Sequence, residues 1–265
     1  MFNDPYDCFF SLEPKFNLLN FKKNYLERFV EIFAGPIQPA FDSNARTTFA
    51  ELRKTALSFE GTPDELRKML IELFERGVEM LEGTVPALRR NWQDEVANYR
   101  VFCVCEKNDN PLLWSHYAQE HRGAAFQLEC LEALDVPLLA ANRVEYGDEP
   151  PDIGTEEEWF ESIVCIRRPE DWEKTWIRMV TTKGREWEHE CEWRVISHRR
   201  PGEPAGYVDS KFDPREISKL FLGCRITEHD REELLNLLTG EFSHVKAFQA
   251  RQDNRSYRLQ FDPIN

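Results

Sequence analysis

No run of apolar residues in this sequence approaches the roughly 20 residues that a membrane-spanning helix requires. The first residues also lack the basic stretch and the following apolar run of a secretory signal peptide. Both absences argue against membrane association. We therefore expect a cytoplasmic protein with no membrane partner.

Positive charge is in the minority, because 34 Lys and Arg residues face 48 Asp and Glu residues and the net charge at pH 7 is -14. Proteins that bind DNA, RNA or anionic lipid through bulk electrostatics present broad basic surfaces. The charge balance therefore argues against bulk nucleic-acid binding, although it leaves local basic patches open.

Three well-known signatures of phosphate binding and acyl transfer are missing: the Walker loop, the dinucleotide glycine fingerprint and the nucleophile elbow. His116 and Glu120 lie one helical turn apart, but no third metal ligand stands at a diagnostic spacing. We therefore expect no metal site, and the residues alone identify no cofactor.

The seven cysteines lack the dense, regular spacing of a secreted disulfide scaffold. Cys103 and Cys105 are predicted to share one face of a strand, and no second cysteine pair follows them. Buried thiols are common in protein cores. We expect most of the cysteines to be buried in a reducing compartment and this pair to be structural.

The chain is long enough, at 265 residues of which 41% are hydrophobic, to bury a sizeable core. Apolar residues from Phe16 to Phe33 fall on one helical face. Thr62-Pro63-Asp64-Glu65 combines a capping hydroxyl, a proline and a capping-box glutamate, which predicts a helix start. Further helix is predicted to about Tyr99. We expect a single domain over residues 1–265, with a helical insertion at about 11–99.

The pattern changes at Arg100, after which short β-prone segments alternate with helical ones. One predicted helix starts at Leu112 and is expected to end at about Arg122, with Gly123 in a left-handed conformation. The predicted strands are residues 101–105, 124–128, 144–146, 187–196, 217–222, 245–249 and 257–261. The first of them is apolar enough to predict burial on both faces. We expect an α+β fold with a central mixed or antiparallel sheet flanked by helices.

Polar and apolar residues alternate from Trp187 to Ile196, which predicts a strand with Glu188, Glu190 and Glu192 on one face. Their carboxylates would stand about 7 Å apart and repel each other. Two interpretations are open. The strand faces solvent and pairs with basic neighbours, or two glutamates form a carboxylate pair in a cleft, with Arg194 steadying them or holding an anionic substrate.

Trp114, Ser115, His116 and Tyr117 combine apolar bodies with polar tips on a short helix between two strands. Helix ends at strand termini are common places for binding sites. The two large rings also suit core packing, so a structural role remains open beside a binding role.

Three blocks of this sequence resemble the bacterial family catalogued as domain of unknown function 2971. The blocks are Phe2-Asn3-Asp4-Pro5-Tyr6-Asp7-Cys8, Leu113 to Ala118 with His121-Arg122-Gly123, and Trp187 to Arg194. Val144-Glu145-Tyr146 and residues 217–223 match in order and spacing. The family's usual strand before the Asn-Asp-Pro turn is not part of this sequence: either the start is truncated or this member lacks that strand. The resemblance implies a site without naming a reaction, and that site comprises Asn3, Asp4, Trp114, Ser115, His116, Tyr117, Glu190, Glu192 and Arg194.

Glu190-Cys191-Glu192 is also similar to the Glu-x-Glu strand of ADP-ribosyltransferase-like folds. That similarity implies an enzyme that transfers ADP-ribose or cleaves NAD, with NAD as the nucleotide substrate. Glu192 would hold the ribose 2′-hydroxyl against the developing positive charge, and Glu190 would position the nucleophile.

Two other hypotheses stand beside the enzyme. The first is a non-catalytic binding or regulatory module, in phage-defence or stress systems, whose polar residues lock the fold through buried hydrogen bonds. A buried Glu190 paired with Arg194 or another arginine would favour it. The second is a metal-dependent hydrolase or nuclease that uses His116 and the glutamates.

Overall fold

The computed structural model describes residue 8 and residues 14–35, 47–152, 154–166, 169–204, 207 and 209–264. The helices are α1 (Leu18–Ala34), α2 (Thr47–Leu57), α3 (Pro63–Val96), α4 (Pro111–Tyr117), α5 (Glu156–Ile163), α6 (Pro169–Thr181) and α7 (Glu228–Asn236). The strands are β1 (Tyr99–Cys105), β2 (Ala124–Leu128), β3 (Asn142–Arg143), β4 (Glu145–Gly147), β5 (Thr182–Gly184), β6 (Glu192–His198), β7 (Ile217–Leu222), β8 (Lys246–Gln252) and β9 (Leu259–Pro263). The fold is α+β with a helical N-terminal region, which confirms the predicted class.

The chain divides into two compact units. The helical unit comprises Met1–Ala97 and Gly147–Lys183, and the sheet unit comprises Asn98–Tyr146 and Gly184–Asn265. This division does not test whether residues 1–265 form a single family domain, which stays a prediction. Among the helices of the described ranges, none is both long enough and apolar enough to cross a membrane.

The helical unit begins its longest helix where the capping pattern predicted. The Thr62 backbone N–H donates to Glu65 Oε2 at 2.8 Å, and the Glu65 N–H donates to Thr62 Oγ1 at 3.3 Å. The helix α3 then continues for 34 residues with Pro86 inside it, where two helices were expected. The apolar face of α1 is buried as predicted, through Phe21, Phe29, Ile32 and Phe33.

The sheet unit contains a three-stranded antiparallel sheet in the order β1-β6-β3 and a four-stranded sheet in the order β2-β7-β8-β9. In the second sheet β7 and β8 run parallel, whereas the β2–β7 and β8–β9 pairs are antiparallel. The sheets are therefore antiparallel and mixed, as expected.

The strand β7 is buried on both faces, which explains its nearly continuous apolar sequence. On one face Phe221 packs in a cluster with Trp114 and Ala118 of the α4 region. On the other face Leu220 and Leu222 are fully buried in a second apolar cluster. The first cluster anchors α4 against the four-stranded sheet.

The helix α4 ends five residues earlier than predicted, and Gly123 is not its left-handed terminator. The left-handed residues are Gln119, Glu120 and His121, with φ of 47°, 54° and 72°. β2 must start at Ala124 opposite Leu222, so the chain has to reverse direction at once. A longer helix would have carried it away from that strand.

Backbone hydrogen bonds hold this reversed turn in place. The His121 N–H donates to the Trp114 carbonyl at 3.1 Å, and the Gly123 N–H donates to the Ala118 carbonyl at 2.8 Å. The end of β7 closes the arrangement, because the Gly223 N–H donates to the Gly123 carbonyl at 2.9 Å. These bonds offset a backbone cost of roughly 1–2 kcal/mol for each left-handed residue.

The predicted burial of β1 and of most cysteines is wrong. β1 is an edge strand of its sheet, and Phe102, Cys103 and Cys105 on it are exposed. An edge strand has neighbours on one side, so apolar composition alone does not bury it. Cys8 is buried, Cys130 is exposed, and the other three cysteines are half-buried.

Candidate functional site

The predicted site residues that the structure describes all lie in the sheet unit. They come from three places: the short helix α4, the turn before β6, and β6 itself. Asn3 and Asp4 lie outside the described residues, so their place in the site stays a prediction.

The helix α4 is held at its start by Asn110. The Asn110 side chain accepts a hydrogen bond from the Leu112 N–H at 3.0 Å, and its amide donates to the His189 carbonyl at 2.9 Å. Trp114 is buried and donates its indole N–H to the Asn108 carbonyl at 2.6 Å. Trp114 therefore packs in the core and holds the helix in place, and its predicted part in substrate binding stays a prediction.

The next three residues of α4, Ser115, His116 and Tyr117, are exposed. The Tyr117 hydroxyl donates to Glu190 Oε1 at 2.6 Å. Tyr117 is 53% exposed, whereas Glu190 is 2% exposed. The phenol therefore lies at the boundary between the protein interior and solvent: its hydroxyl binds a buried carboxylate, and part of its ring is exposed.

Burial of the hydroxyl is the largest cause of a pKa of Tyr117 well above its ordinary value. The hydrogen bond to Glu190 and the charges of Glu190 and Glu192 raise the pKa of Tyr117 further. A negative charge on the phenolate would be repelled by both carboxylates, so Tyr117 stays a hydrogen-bond donor at neutral pH.

The predicted strand from Trp187 to Ile196 is wrong in its first half. Arg185–Glu190 form a 3-10 turn, Cys191 follows with φ of 47°, and β6 begins at Glu192. Consequently Glu188, Glu190 and Glu192 do not share a strand face. Glu188 points to solvent, with Arg185 at 4.0 Å, so each glutamate has a separate environment and the repulsion of a shared face is avoided.

Glu192 and Arg194 form a buried ion pair on one face of β6. Arg194 Nε donates to Glu192 Oε1 at 2.8 Å and Arg194 Nη2 donates to Glu192 Oε2 at 3.2 Å. Glu192 is 3% exposed and Arg194 is fully buried. The bidentate geometry is the strong form of this interaction. Arg194 thus contacts Glu192, and its predicted part in a carboxylate site or in substrate binding stays a prediction.

Tyr146 and Cys105 belong to the surroundings of Glu192 and were absent from the predicted set. The Glu192 N–H donates to the Tyr146 hydroxyl oxygen at 2.8 Å, and Cys105 lies opposite Glu192 in the β1–β6 register. Tyr146 could have been found from the sequence, because it ends the Val-x-Tyr segment that matched the family pattern. No comparable signal marked Cys105.

Aromatic rings continue from Tyr117 across the exposed surface. The centroid of His116 lies 6.2 Å from that of Tyr117 and 6.1 Å from that of Trp187, and the Trp187 contact is edge-on at 80°. Trp187 in turn stacks with His189 at 6.1 Å. We call His116, Tyr117 and Trp187 the aromatic surface. Trp187 had been recognised as part of a sequence block but not as a site residue.

No group of three or more His, Cys, Asp or Glu side chains in the described ranges is arranged to hold a metal ion. A cavity of about 500 Å³ lies elsewhere in the sheet unit and contains none of the predicted site residues. Its lining is mostly apolar and comprises Leu235, Leu238, Val245, Lys246, Ala247, Phe248, Pro263 and Ile264.

Comparison with known families gives a match to the model described as Protein of unknown function (DUF2971), over residues 113–195. The matched stretch begins one residue before Trp114 and ends one residue after Arg194, so it spans the described candidate site residues. No curated protein and no solved structure matches the chain. The similarity to ADP-ribosyltransferase-like folds therefore stays a prediction.

Proposed function

We propose a non-catalytic function for this chain, whose residues 113–195 match the DUF2971 family model: the aromatic surface binds a small molecule. The observation that supports this proposal is that the two candidate residues on β6 are buried and paired with each other. Glu192 and Arg194 are bound to each other by two hydrogen bonds and are 3% and 0% exposed. The pair therefore supports the surface from within and does not contact the ligand.

A catalytic role for Glu192 would require contact with a substrate hydroxyl in the transition state. A carboxylate that is nearly inaccessible and held by a guanidinium meets that requirement poorly. Breaking a buried ion pair is strongly destabilising, because it leaves an uncompensated charge in the interior. Glu192 thus has the properties of a structural residue.

Glu190 and Tyr117 have a different arrangement, which suits binding. The buried carboxylate fixes the direction of the phenol, and the exposed part of the ring remains available. Side chains that are already fixed lose less conformational entropy when a ligand binds. Ser115 and His116 add exposed polar groups beside the ring. The result is a small, preorganised surface with both apolar and hydrogen-bonding character.

The enzyme hypothesis stays as a prediction with a direct test. Purified full-length protein is incubated with NAD, and NAD consumption is measured for the wild type and for Glu192→Gln. We expect no turnover by either protein. If the wild type consumes NAD and Glu192→Gln does not, while the circular dichroism spectra of the two proteins are the same, the enzyme hypothesis is right and the binding proposal is wrong. The suggested setting in phage defence or stress also stays a prediction.

Binding is tested by thermal shift, since a ligand that binds only the native state raises the melting temperature. The panel comprises NAD, ADP-ribose, unrelated nucleotides and small amines. A ligand of this surface should raise the melting temperature of the wild type and of the control Tyr257→Ala, because Tyr257 is fully exposed elsewhere in the unit. The shift should be lost in His116→Ala and Trp187→Ala. Shifts that persist in both variants contradict this location.

A further inference from the structure

The cavity of about 500 Å³ in the sheet unit combines an apolar lining with one charged side chain. It lies between the C-terminal end of α7, the start of β8 and the end of β9. Seven of its eight lining residues are apolar, and the eighth is Lys246. Cavities of this volume and composition hold small molecules, and their few polar groups fix the orientation of the ligand. Lys246 is therefore the side chain that would select a ligand by its charge.

Lys219 on β7 brings a second ammonium group to the same part of the sheet. The strands β7 and β8 are parallel, and Lys219 is the register partner of Lys246, so the two side chains start from the same face. The Lys219 ammonium lies 6.0 Å from the centroid of the Phe248 ring, and Phe248 also lines the cavity. One lysine thus belongs to the lining and the other contacts a ring of the lining.

Neither of these positive charges is compensated within the described ranges. Lys219 has the contact with Phe248 but no acidic partner, and Lys246 forms no ion pair and no side-chain hydrogen bond. Like charges side by side on neighbouring strands destabilise a sheet. An anion bound beside the two ammonium groups would remove that repulsion.

Acidic side chains on the adjoining strands are bound to other groups. Glu129 follows the end of β2 and accepts hydrogen bonds from Gln127 and Ser218. Asp262, next to the cavity on β9, forms an ion pair with Arg251 at 2.7 Å. The two lysines are therefore available to a ligand, although the chain as a whole has a net charge of -14.

We propose that this cavity binds a small apolar carboxylate, of the class of the medium-chain fatty acids. The hydrocarbon part lies against Leu235, Leu238 and Ile264, and the carboxylate accepts a charge-assisted hydrogen bond from Lys246. Lys219 attracts the carboxylate from the neighbouring strand. The hydroxyl groups of a sugar or nucleotide would lose their hydrogen bonds to water against the apolar lining, which disfavours those ligands. The site shares no residue with the aromatic surface and does not depend on the proposed function.

The test uses full-length protein and ligand-detected NMR titrations with octanoate, 1-octanol and octylammonium, which have alkyl chains of equal length and differ in charge. Measurements are made at about pH 7.5, where carboxylic acids and lysine side chains are both ionised. We expect octanoate to bind most tightly and octylammonium most weakly. Added salt should weaken octanoate binding, because exposed charges are screened. Hexanoate should bind about tenfold more weakly than octanoate, because it buries two fewer CH₂ groups.

Variants test the two lysines separately. Lys246→Gln should weaken octanoate binding by about fivefold, and Lys219→Gln by about twofold, while 1-octanol binding stays unchanged. The Lys246 side chain is exposed and its replacement removes a like-charge neighbour, so this variant should keep the fold. Lys107→Gln, an exposed lysine in the loop between β1 and α4, is the matched control and should have no effect. His116→Ala on the aromatic surface should also leave octanoate binding unchanged.

Contrary results have defined meanings. Octylammonium or 1-octanol that binds as tightly as octanoate overturns the carboxylate as the ligand class. Unchanged octanoate affinity in Lys246→Gln overturns the location, and the absence of any octanoate binding overturns the whole proposal. Loss of octanoate binding in His116→Ala would place the ligand on the aromatic surface and overturn the cavity. Failure of the aromatic surface to bind any ligand of its own contradicts the proposed function alone, because the two sites share no residue.

Discussion

Replacing Arg194 by methionine removes the guanidinium from a buried pair and leaves Glu192, which is 3% exposed, without that partner. Methionine fills much of the volume, so the main effect is the loss of the guanidinium from a carboxylate in the interior. Breaking a buried pair in this way costs about 3–5 kcal/mol. For a chain of this size each kcal/mol lowers the melting temperature by about 2–4 °C. We therefore expect a decrease of roughly 6–20 °C.

The assays are thermal and urea unfolding, both followed by circular dichroism, with a matched variant as control. Arg251 and Asp262 in the sheet unit form an ion pair with an N–O separation of 2.7 Å, close to the 2.8 Å between Arg194 and Glu192, but their side chains are 49% and 58% exposed. Arg251→Met should cost no more than about 1 kcal/mol. Adding Glu192→Gln to Arg194→Met removes the buried charge and should recover part of the loss. If Arg194→Met and Arg251→Met cost the same, the buried pair does not stabilise the unit.

Further variants test the surroundings of the site. Tyr117→Phe removes the hydroxyl that donates a hydrogen bond to Glu190, and it should lower the free energy of unfolding by about 1 kcal/mol in urea titrations. Because the folded pKa of Tyr117 is raised, its contribution is complete below the ordinary tyrosine pKa of about 10 and is lost as the pH rises through the raised value; unfolding in alkaline buffers should show this loss in the wild type and not in Tyr117→Phe. Glu120→Gly relieves a left-handed residue and should raise the free energy of unfolding by about 0.5–1 kcal/mol, whereas any decrease contradicts the strain. Gly223→Ala places a methyl group against the His121 carbonyl oxygen and should cost about 1–3 kcal/mol, and a neutral result refutes this close approach.

Sequence reasoning was most successful where a short segment contains its own signal. Thr62 with Glu65 predicted the start of α3, and the predicted helix start at Leu112 lies one residue from the observed start of α4 at Pro111. Ile217–Leu222 is the predicted apolar strand. Capping bonds and side-chain periodicity arise within a few residues, so they are readable without knowledge of the rest of the fold.

Predictions that depended on distant neighbours were less reliable. The alternation that begins at Trp187 predicted a strand, yet residues up to Glu190 form a 3-10 turn. Gly123 was expected to end α4 in a left-handed conformation, but the chain turns earlier because β2 pairs with β7. Cys103 and Cys105 are exposed because β1 lies at a sheet edge. Pairing between separate segments decided each case.

The sequence by itself determined the α+β class, the starts of several helices and the group of residues in which a site should be sought. Only the tertiary structure decided how those residues are divided. Tyr117 and Glu190 are 73 positions apart in the chain and meet through a hydrogen bond, whereas Glu192 is bound to Arg194 two residues away and buried with it. Local patterns specify backbone shape, but the partner and the solvent exposure of a carboxylate depend on which segments pack around it.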